Sequence, residues 1–325
     1  MASPLLIVLS TGGTIAMEAS APEAGGDLRF GAQALAQATP GLEALARVKA
    51  RDVLAKPSAS LTLEDQAKLA RAAQQAAREA DGVVVTHGTD TLEETAFALA
   101  ALTREDTPIV VTGAMRRPDQ PGADGPANLI AAARVALSAQ ARGLGPLVVM
   151  DDEIFCAHLV RKSHSFRPHA FSAAPFGPIG YLAEGRVRIV LKPATLPQSL
   201  DFGGNSARVA ILEAGTGFDA QAATTLERAV DGLVLSLPGA GHVAADAAPA
   251  LGELAQRLPV VFASRTGAGE TLSASYAYAG GEIDLIARGL IPAGSLDARK
   301  ARVALQLLLS GGADRARIAS YFAAT

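Results

Sequence analysis

The sequence is poor in features that would assign a protein class directly. Its 325 residues include no tryptophan and a single cysteine, Cys156, so no disulfide can form within the chain and the fold does not depend on an oxidising compartment. The formal net charge is −3 and the basic residues are scattered, which provides no strong field for nucleic acid or an anionic membrane. The apolar run at residues 5–9 is too short for a signal peptide or a membrane span. We therefore expect a cytoplasmic protein whose partners include neither nucleic acid nor membrane.

What the sequence does contain is a regular alternation of short apolar runs and helical stretches. Near-continuous apolar runs that alternate with helices are typical of parallel strands buried on both faces. The sequence therefore predicts an α/β fold, with a large N-terminal domain built on a mainly parallel sheet flanked by helices and a smaller C-terminal α/β domain. The predicted strands lie at 5–9, 83–85, 109–111, 147–150, 209–212, 233–237 and 260–263. The predicted helices lie at 62–80, 92–101, 297–309 and 314–322, and a further helix opens at Asp124.

Residues 192–206 interrupt this alternation. The segment combines prolines, glycines and small polar residues, a composition typical of a linker. A chain of this length also favours two domains over one. We predict a catalytic N-terminal domain at 1–191, a linker at 192–206 and the C-terminal domain at 207–325.

Polar residues follow the first two predicted strands. Thr11 and Thr14 flank two glycines after the first run, and Thr89 and Asp90 follow the second run. Because ligand sites form beyond the carboxyl ends of strands in parallel sheets, these side chains are candidates for one shared site. Two structural alternatives remain open. In the first, the glycines form only a tight turn, and in the second, Thr89 or Asp90 only caps the following helix. Lys162 lies in a region without clear secondary structure, where a surface lysine is the simplest alternative.

Two patterns that suggest cofactors are incomplete. Residues 239–244 fit a G-x-G-x-x-A pattern after a predicted strand, but the next strand ends without the acidic residue that binds a ribose. Cys156, His158, His164 and His169 lie close together in the chain, yet their spacing matches no zinc pattern. We therefore expect no metal and no cofactor.

Five segments together resemble one enzyme family. In chain order they are TGGTIA (11–16), HGTDT (87–91), GAMR with ADGPANL (113–129), RKSHSFRPHAFSAAPFGPIGY (161–181) and SLDARKARVALQLLL (295–309). In order and spacing they are similar to the bacterial-type L-asparaginase family, and they span nearly the whole chain. The resemblance implies an amidohydrolase that converts L-asparagine to L-aspartate and ammonia through a threonine nucleophile and an acyl-enzyme intermediate.

The resemblance assigns catalytic roles to four residues. Thr14 corresponds to the family's nucleophile, and Thr89, Asp90 and Lys162 correspond to a hydrogen-bonded set that activates the attacking group or the later water. A threonine hydroxyl is a weak nucleophile at neutral pH, so amide hydrolysis requires such neighbours. The sequence leaves open which threonine attacks first.

The resemblance also implies the contacts that hold the substrate. Ser58 and the Gly88 backbone would bind the α-carboxylate, Asp90 would bind the α-ammonium group, and Ala114 would offer its carbonyl to the leaving amide nitrogen. Glu282 aligns with an acidic residue that the family contributes from a neighbouring subunit, which implies a homodimer or homotetramer. The alternative for Glu282 is a solvated carboxylate in a turn.

Three positions depart from the family pattern. The loop at 17–31 contains no tyrosine, whereas the family usually carries one there that hydrogen-bonds the nucleophile. Ala59 follows Ser58 where a glutamine or an acid is common, and His242 stands where asparagine or serine is frequent. These departures leave the amino-acid preference open. We expect the 17–31 loop to be a mobile lid that closes over the substrate.

Alternatives within and outside this reaction class remain. A glutaminase-asparaginase would also accept L-glutamine, and the amidase subunit of a tRNA-dependent amidotransferase would normally carry an additional N-terminal domain. A non-catalytic amino-acid-binding homologue would be compatible with the lack of a loop tyrosine. Measured ammonia release separates the last alternative from the others.

Overall fold

The computed structural model describes residues 3–12 and 31–325. The chain divides into two compact units, Met1–Ser199 and Leu200–Thr325. The first unit is built on a large, mainly parallel sheet and the second on a smaller parallel sheet, each with helices packed against it. The α/β fold class predicted from the alternating pattern is confirmed.

The first unit begins with a strand and alternates strands with helices. Its described strands are β1 (Leu5–Ser10), β2 (Arg47–Asp52), β3 (Gly82–Thr86), β4 (Ile109–Thr112), β5 (Leu147–Met150), β6 (Glu153–Cys156), β7 (Arg161–Lys162), β8 (Phe171–Ser172), β9 (Gly180–Ala183) and β10 (Arg186–Ile189). Its described helices are α1 (Ala32–Gln37), α2 (Leu42–Leu45), α3 (Leu63–Glu79), α4 (Leu92–Leu102) and α5 (Gly125–Ala136). Short 3-10 turns occur at Ser58–Ser60 and Ala139–Ala141.

Eight of these strands form one sheet, in the order β10-β9-β6-β5-β4-β3-β1-β2. The strands from β2 to β5 pair in parallel, whereas β6, β9 and β10 extend the sheet in antiparallel pairings. The apolar runs predicted β1, β3, β4 and β5. They did not predict the edge strands β2 and β10, whose sequences RVKARD and RVRI carry charges that suit the exposed edge of a sheet.

Successive residues of β1 enter two separate cores. Leu6 and Val8 pack with residues of α1, α2 and α5 on one face of the sheet. Ile7 and Leu9 pack with residues of α3 and α4 on the other face. Because side chains alternate across a strand, an uninterrupted apolar run requires helices on both faces. This double burial explains why the sequence signal of β1 is so clear.

The order of the central strands creates a crevice. β1 lies between β2 and β3, so the connection that leaves β1 runs toward β2, while the connection that leaves β3 runs to β4 on the opposite side. The segments after β1 and β3 therefore diverge at a topological switch point, where open α/β sheets bind their ligands. The residues that follow these two strands are the ones that the sequence analysis selected.

The helix that starts after the Ser58–Ser60 turn has the N-terminus that the sequence predicts. The Thr62 side chain accepts from the Asp65 backbone N–H and the Asp65 carboxylate accepts from the Thr62 N–H, which forms a capping box at the start of α3. With 17 residues, α3 is the longest described helix.

Within the described residues, no helix combines the length and the apolar character needed to cross a bilayer.

The second unit repeats the alternation on a smaller scale. Its parallel sheet has the order β11-β12-β13-β14, with β11 at Val209–Glu213, β12 at Gly232–Leu237, β13 at Val260–Ser264 and β14 at Ile291–Pro292. Its described helices are α6 (Gln221–Leu226), α7 (Ala248–Arg257), α8 (Glu282–Ala287), α9 (Ala298–Ser310) and α10 (Arg315–Phe322). The side chains of Asp297 and Asp314 cap α9 and α10, which explains where both helices start. The predicted strands and helices of this region are confirmed.

Close packing of α5 on β3 generates a stability prediction. A Cβ atom at Gly82 would lie 2.4 Å from the carbonyl oxygen of Ala136, a backbone atom that cannot move aside. We predict that Gly82→Ala lowers the free energy of unfolding by about 1–3 kcal/mol, the usual cost of overpacking. Urea denaturation of both proteins measures the difference.

Gly215→Ala is the matched control. A Cβ at Gly215 would meet only the end of the flexible Arg265 side chain, at 3.4 Å. Its free energy of unfolding should stay within about 0.5 kcal/mol of the wild-type value. Equal midpoints for Gly82→Ala and Gly215→Ala would contradict the tight packing of α5 on β3.

Candidate active site

Thr11 and Gly12, the described residues that follow β1, pack against β3 and Lys56. Both the backbone N–H and the hydroxyl of Thr11 donate to the Thr86 carbonyl, at 3.0 and 3.1 Å. Gly12 has φ of +100°, and a Cβ there would lie 2.8 Å from the Lys56 carbonyl oxygen, so this position requires glycine. Thr14 and the 17–31 loop up to residue 30 lie outside the described residues.

Lys162 joins two residues of the loop that follows β3. Its Nζ donates to Oγ1 of Thr89 at 2.9 Å and to Oδ1 of Asp90 at 2.8 Å. The Lys162 side chain is 13% exposed, so it is not a surface lysine, whereas the Asp90 side chain is 68% exposed. Neither Thr89 nor Asp90 caps α4, whose N-cap residue is Thr91. The structure therefore brings three of the four predicted catalytic residues into direct contact.

Helix α4 also holds the backbone of Lys162. The Lys162 N–H donates to the carboxylate of Glu93, which lies buried in the first turn of α4. Thr89 and Asp90 precede this helix, so one helix start fixes both the backbone and the ammonium end of Lys162. The sequence analysis did not select Glu93. The available signal was an acidic residue in the first turn of an otherwise apolar helix. Such carboxylates are usually explained by their favourable interaction with the helix dipole, so Glu93 was not assigned a contact with Lys162.

Ser58 is locked onto the same loop. Its Oγ accepts from the Asp90 backbone N–H at 3.2 Å, and its carbonyl accepts from the Thr91 hydroxyl at 2.7 Å. Because a hydroxyl that accepts one hydrogen bond still has a proton to donate, Ser58 can donate to an anionic group in the crevice. Ser58 is buried, whereas Ala59 is exposed and offers no polar side chain.

The ring of His87 contacts the backbone of the same loop. The ring Nδ1 lies 2.6 Å from the Gly88 carbonyl oxygen, and both residues are buried. Burial lowers the pKa of His87 to about 4, and the hydrogen bond to Gly88 opposes this shift only in part. His87 is therefore a neutral imidazole near neutral pH, and its Nδ1–H donates to Gly88.

Ala114 follows β4, beside the Thr89 loop. A Cβ at Gly113 would lie 2.6 Å from the His87 carbonyl oxygen and 3.1 Å from Cγ2 of Thr89, so glycine allows the two loops to approach. Ala114 itself is buried. The loops after β3 and β4 thus form adjacent walls of the crevice.

His242 and Glu282 lie in the second unit, where they form a cluster of their own. Glu282 is fully buried at the start of α8. Its Oε1 accepts from the backbone N–H groups of Ser275 and Tyr276, both at 2.7 Å, and its Oε2 lies 3.2 Å from Nε2 of His242. Burial raises the pKa of Glu282, but the hydrogen bonds outweigh this effect and lower it overall. The alternative of a solvated turn carboxylate is wrong.

Two tyrosines complete this cluster. The ring of His242 packs edge-on against Tyr276 and Tyr278, with centroids 5.0 and 5.6 Å apart. Both tyrosines are about half exposed, whereas Glu282 is fully buried and accepts from the Tyr276 backbone. The cluster thus combines partly exposed aromatic rings with a buried carboxylate, two kinds of group that favour a cationic ligand.

The cysteine and histidine residues that lie close in sequence do not converge. Cys156 is buried in the sheet, and burial raises the pKa of its thiol to about 11. His169 is paired with Asp151 at 3.1 Å at the surface. Within residues 3–12 and 31–325, no three potential metal ligands of the His, Cys, Asp and Glu types come together.

A threonine hydroxyl, a lysine and an aspartate at the switch point of a parallel sheet are equipped for hydrolysis by a hydroxyl nucleophile. Family models for the N-terminal domain of asparaginases and for the glutaminase/asparaginase C-terminal domain match residues 5–195 and 208–322 of the chain. The chain therefore belongs to the asparaginase/glutaminase family, which the sequence motifs also resemble.

Individual relatives agree with this membership. The chain is 41% identical to a probable L-asparaginase of Deinococcus radiodurans, an alignment that covers 98% of this chain and 97% of that protein. It is 31% identical to a probable periplasmic L-asparaginase of Haemophilus influenzae, with 98% and 92% covered. It is 34% identical to a glutaminase-asparaginase of Pseudomonas fluorescens, with 81% and 76% covered.

The buried imidazole of His87 generates a pH prediction. The pKa of His87 is 6.5 in the unfolded chain and about 4 in the folded chain. Between pH 4 and pH 6.5 the unfolded chain therefore binds a proton on His87 that the folded chain excludes. The contribution of His87 to stability is therefore complete above pH 6.5 and falls by about 3 kcal/mol as the pH drops to 4. Urea titrations should show a steeper loss of stability over this window in the wild type than in His87→Asn. Identical slopes would mean that the folded chain accepts the proton.

Proposed function

We propose that the protein is an L-asparaginase that hydrolyses the side-chain amide of L-asparagine to L-aspartate and ammonia. The observation that carries this proposal is the contact of Lys162 Nζ with Thr89 and Asp90 at the sheet's switch point. Family membership over nearly the whole chain supports the same reaction.

The proposed chemistry proceeds in two balanced steps. The hydroxyl of Thr14 attacks the amide carbon, an ester forms, and the C–N bond breaks to release ammonia. Water then cleaves the ester, which returns the threonine and gives the carboxylate of aspartate. Thr89, Lys162 and Asp90 carry the proton that the attacking hydroxyl, and later the water, must lose.

The polar groups around the loop after β3 match an amino acid's charged end. The Ser58 hydroxyl and the Gly88 backbone bind the α-carboxylate, because Ser58 retains a proton to donate. The exposed carboxylate of Asp90 binds the α-ammonium group. These contacts place the short side chain at the nucleophile, a positioning effect that can contribute about 7–11 kcal/mol in well-oriented reactions.

Three finer points belong to the same proposal. The protein assembles as a homotetramer in which Glu282, with His242, faces the ammonium end of a substrate held by a neighbouring subunit. Light scattering tests this, and an active monomer would contradict it.

The location is cytoplasmic, although one relative is named periplasmic, and cell fractionation tests it. L-Glutamine is the alternative substrate, since another relative is named a glutaminase-asparaginase.

A coupled ammonia assay tests the reaction. We predict ammonia release from L-asparagine by the wild type and a loss of about a hundredfold or more in kcat for Thr14→Ala and for Thr89→Val. The first change removes the proposed nucleophile, and the second removes a hydroxyl on the path of the proton. Rates on L-glutamine and on both D-amino acids, measured in parallel, define the substrate preference.

Thr225→Val serves as the control, because Thr225 is an exposed threonine of α6 whose hydroxyl donates to the Gln221 carbonyl within its own helix. It should keep wild-type rates. Near-normal ammonia release by both Thr14→Ala and Thr89→Val would defeat the proposed mechanism. Substrate binding without any release would favour the amino-acid-binding homologue.

A further inference from the structure

The loop after β4 is held by a carboxylate that comes from the start of α5. Asp124 accepts from the backbone N–H of Met115, at 3.0 and 3.1 Å from its two oxygens, and from the N–H of Arg116 at 2.9 Å. Asp124 occupies the N-cap position of α5, yet its side chain makes no capping hydrogen bond. Its carboxylate therefore serves the loop rather than the helix.

Asn128 fixes the same loop from the next turn of α5. Its Nδ2 donates to the Gly113 carbonyl at 3.0 Å and to Asp124 at 3.2 Å, while its Oδ1 accepts from the Asp151 N–H at 3.1 Å. Asn128 is 3% exposed. Because both ends of its amide are matched to partners of the right type, only this orientation of the side chain satisfies them.

These two residues determine where the Ala114 carbonyl points. The Met115 N–H and the Ala114 C=O belong to one peptide unit, which is planar and trans, so they point in opposite directions. Since that N–H faces Asp124, the Ala114 carbonyl faces away from α5. The preceding carbonyl, that of Gly113, is already bound by Asn128.

We propose that Asp124 and Asn128 are positioning residues that aim the Ala114 carbonyl at the leaving group, and that this contact makes the site select nitrogen over oxygen leaving groups. The inference rests on the proposed amidase function. A carbonyl oxygen only accepts hydrogen bonds, so it favours an amide nitrogen or a departing ammonia, both of which donate. An ester oxygen has no proton to donate, so its lone pairs would repel those of the Ala114 carbonyl oxygen.

Two substrates with the same acyl group test this selectivity. L-Asparagine releases ammonia, and L-aspartate β-methyl ester releases methanol, each with the uptake of one water. We predict that Asp124→Ala and Asn128→Ala lower kcat on asparagine by about a hundredfold, because a misplaced contact can cost that much. On the ester, kcat should change by less than about threefold, and KM for both substrates should change little.

Asp119→Ala is the matched control. Asp119 belongs to the same connection between β4 and α5, but its carboxylate binds the Arg117 side chain. It should leave both rates unchanged. Asp124→Asn keeps one acceptor oxygen and should fall between the wild type and Asp124→Ala, and it carries the test if either alanine variant fails to fold.

The outcomes separate the two proposals. A wild-type chain that releases no ammonia from asparagine would remove the proposed function, and this inference with it. A wild type that is active, with variants that lose amide and ester hydrolysis equally, would overturn only the leaving-group selectivity. Unchanged asparagine rates in folded variants would overturn the positioning role itself.

Discussion

The site depends on one interaction, in which the ammonium group of Lys162 lies between the Thr89 hydroxyl and the Asp90 carboxylate. Lys162 is largely buried, and a charge removed from water is costly unless polar partners replace the lost hydration. Both partners come from the loop after β3, and the lysine comes from a strand 72 residues from Asp90. This contact therefore fixes the position of β7 relative to the central sheet, and in the proposed mechanism it forms the proton path.

The rest of the first unit places backbone close enough for that contact to form. Doubly buried strands bring the segments after β1, β3 and β4 to one end of the sheet, and the switch between β1 and β3 opens a crevice there. Gly12 and Gly113 remove the Cβ atoms that would keep neighbouring loops apart. Buried polar side chains then hold each wall: Ser58 holds the Asp90 peptide, and Asn128 holds Gly113.

The sequence predicted what depends on local pattern. Its apolar runs located the buried strands, the motif after β3 selected Thr89 and Asp90, and the family resemblance selected Lys162. It did not reveal elements whose residues are polar, such as the edge strand β2, or the two-residue strand that carries Lys162. It also missed side chains whose partners are distant in the chain. Asp124 was predicted only as the start of a helix, because no local pattern shows that its carboxylate binds the loop before it.

The central claim is that Thr89 and Lys162 act as one unit, and a double-mutant cycle measures this directly. Values of kcat on L-asparagine are needed for the wild type, Thr89→Val, Lys162→Met and the double variant. If the two groups share one proton path, the double variant will be about as slow as the slower single variant, because the first change already breaks the path. Fully additive losses, with the two free-energy costs summing in the double variant, would show that the residues act independently and would contradict this account.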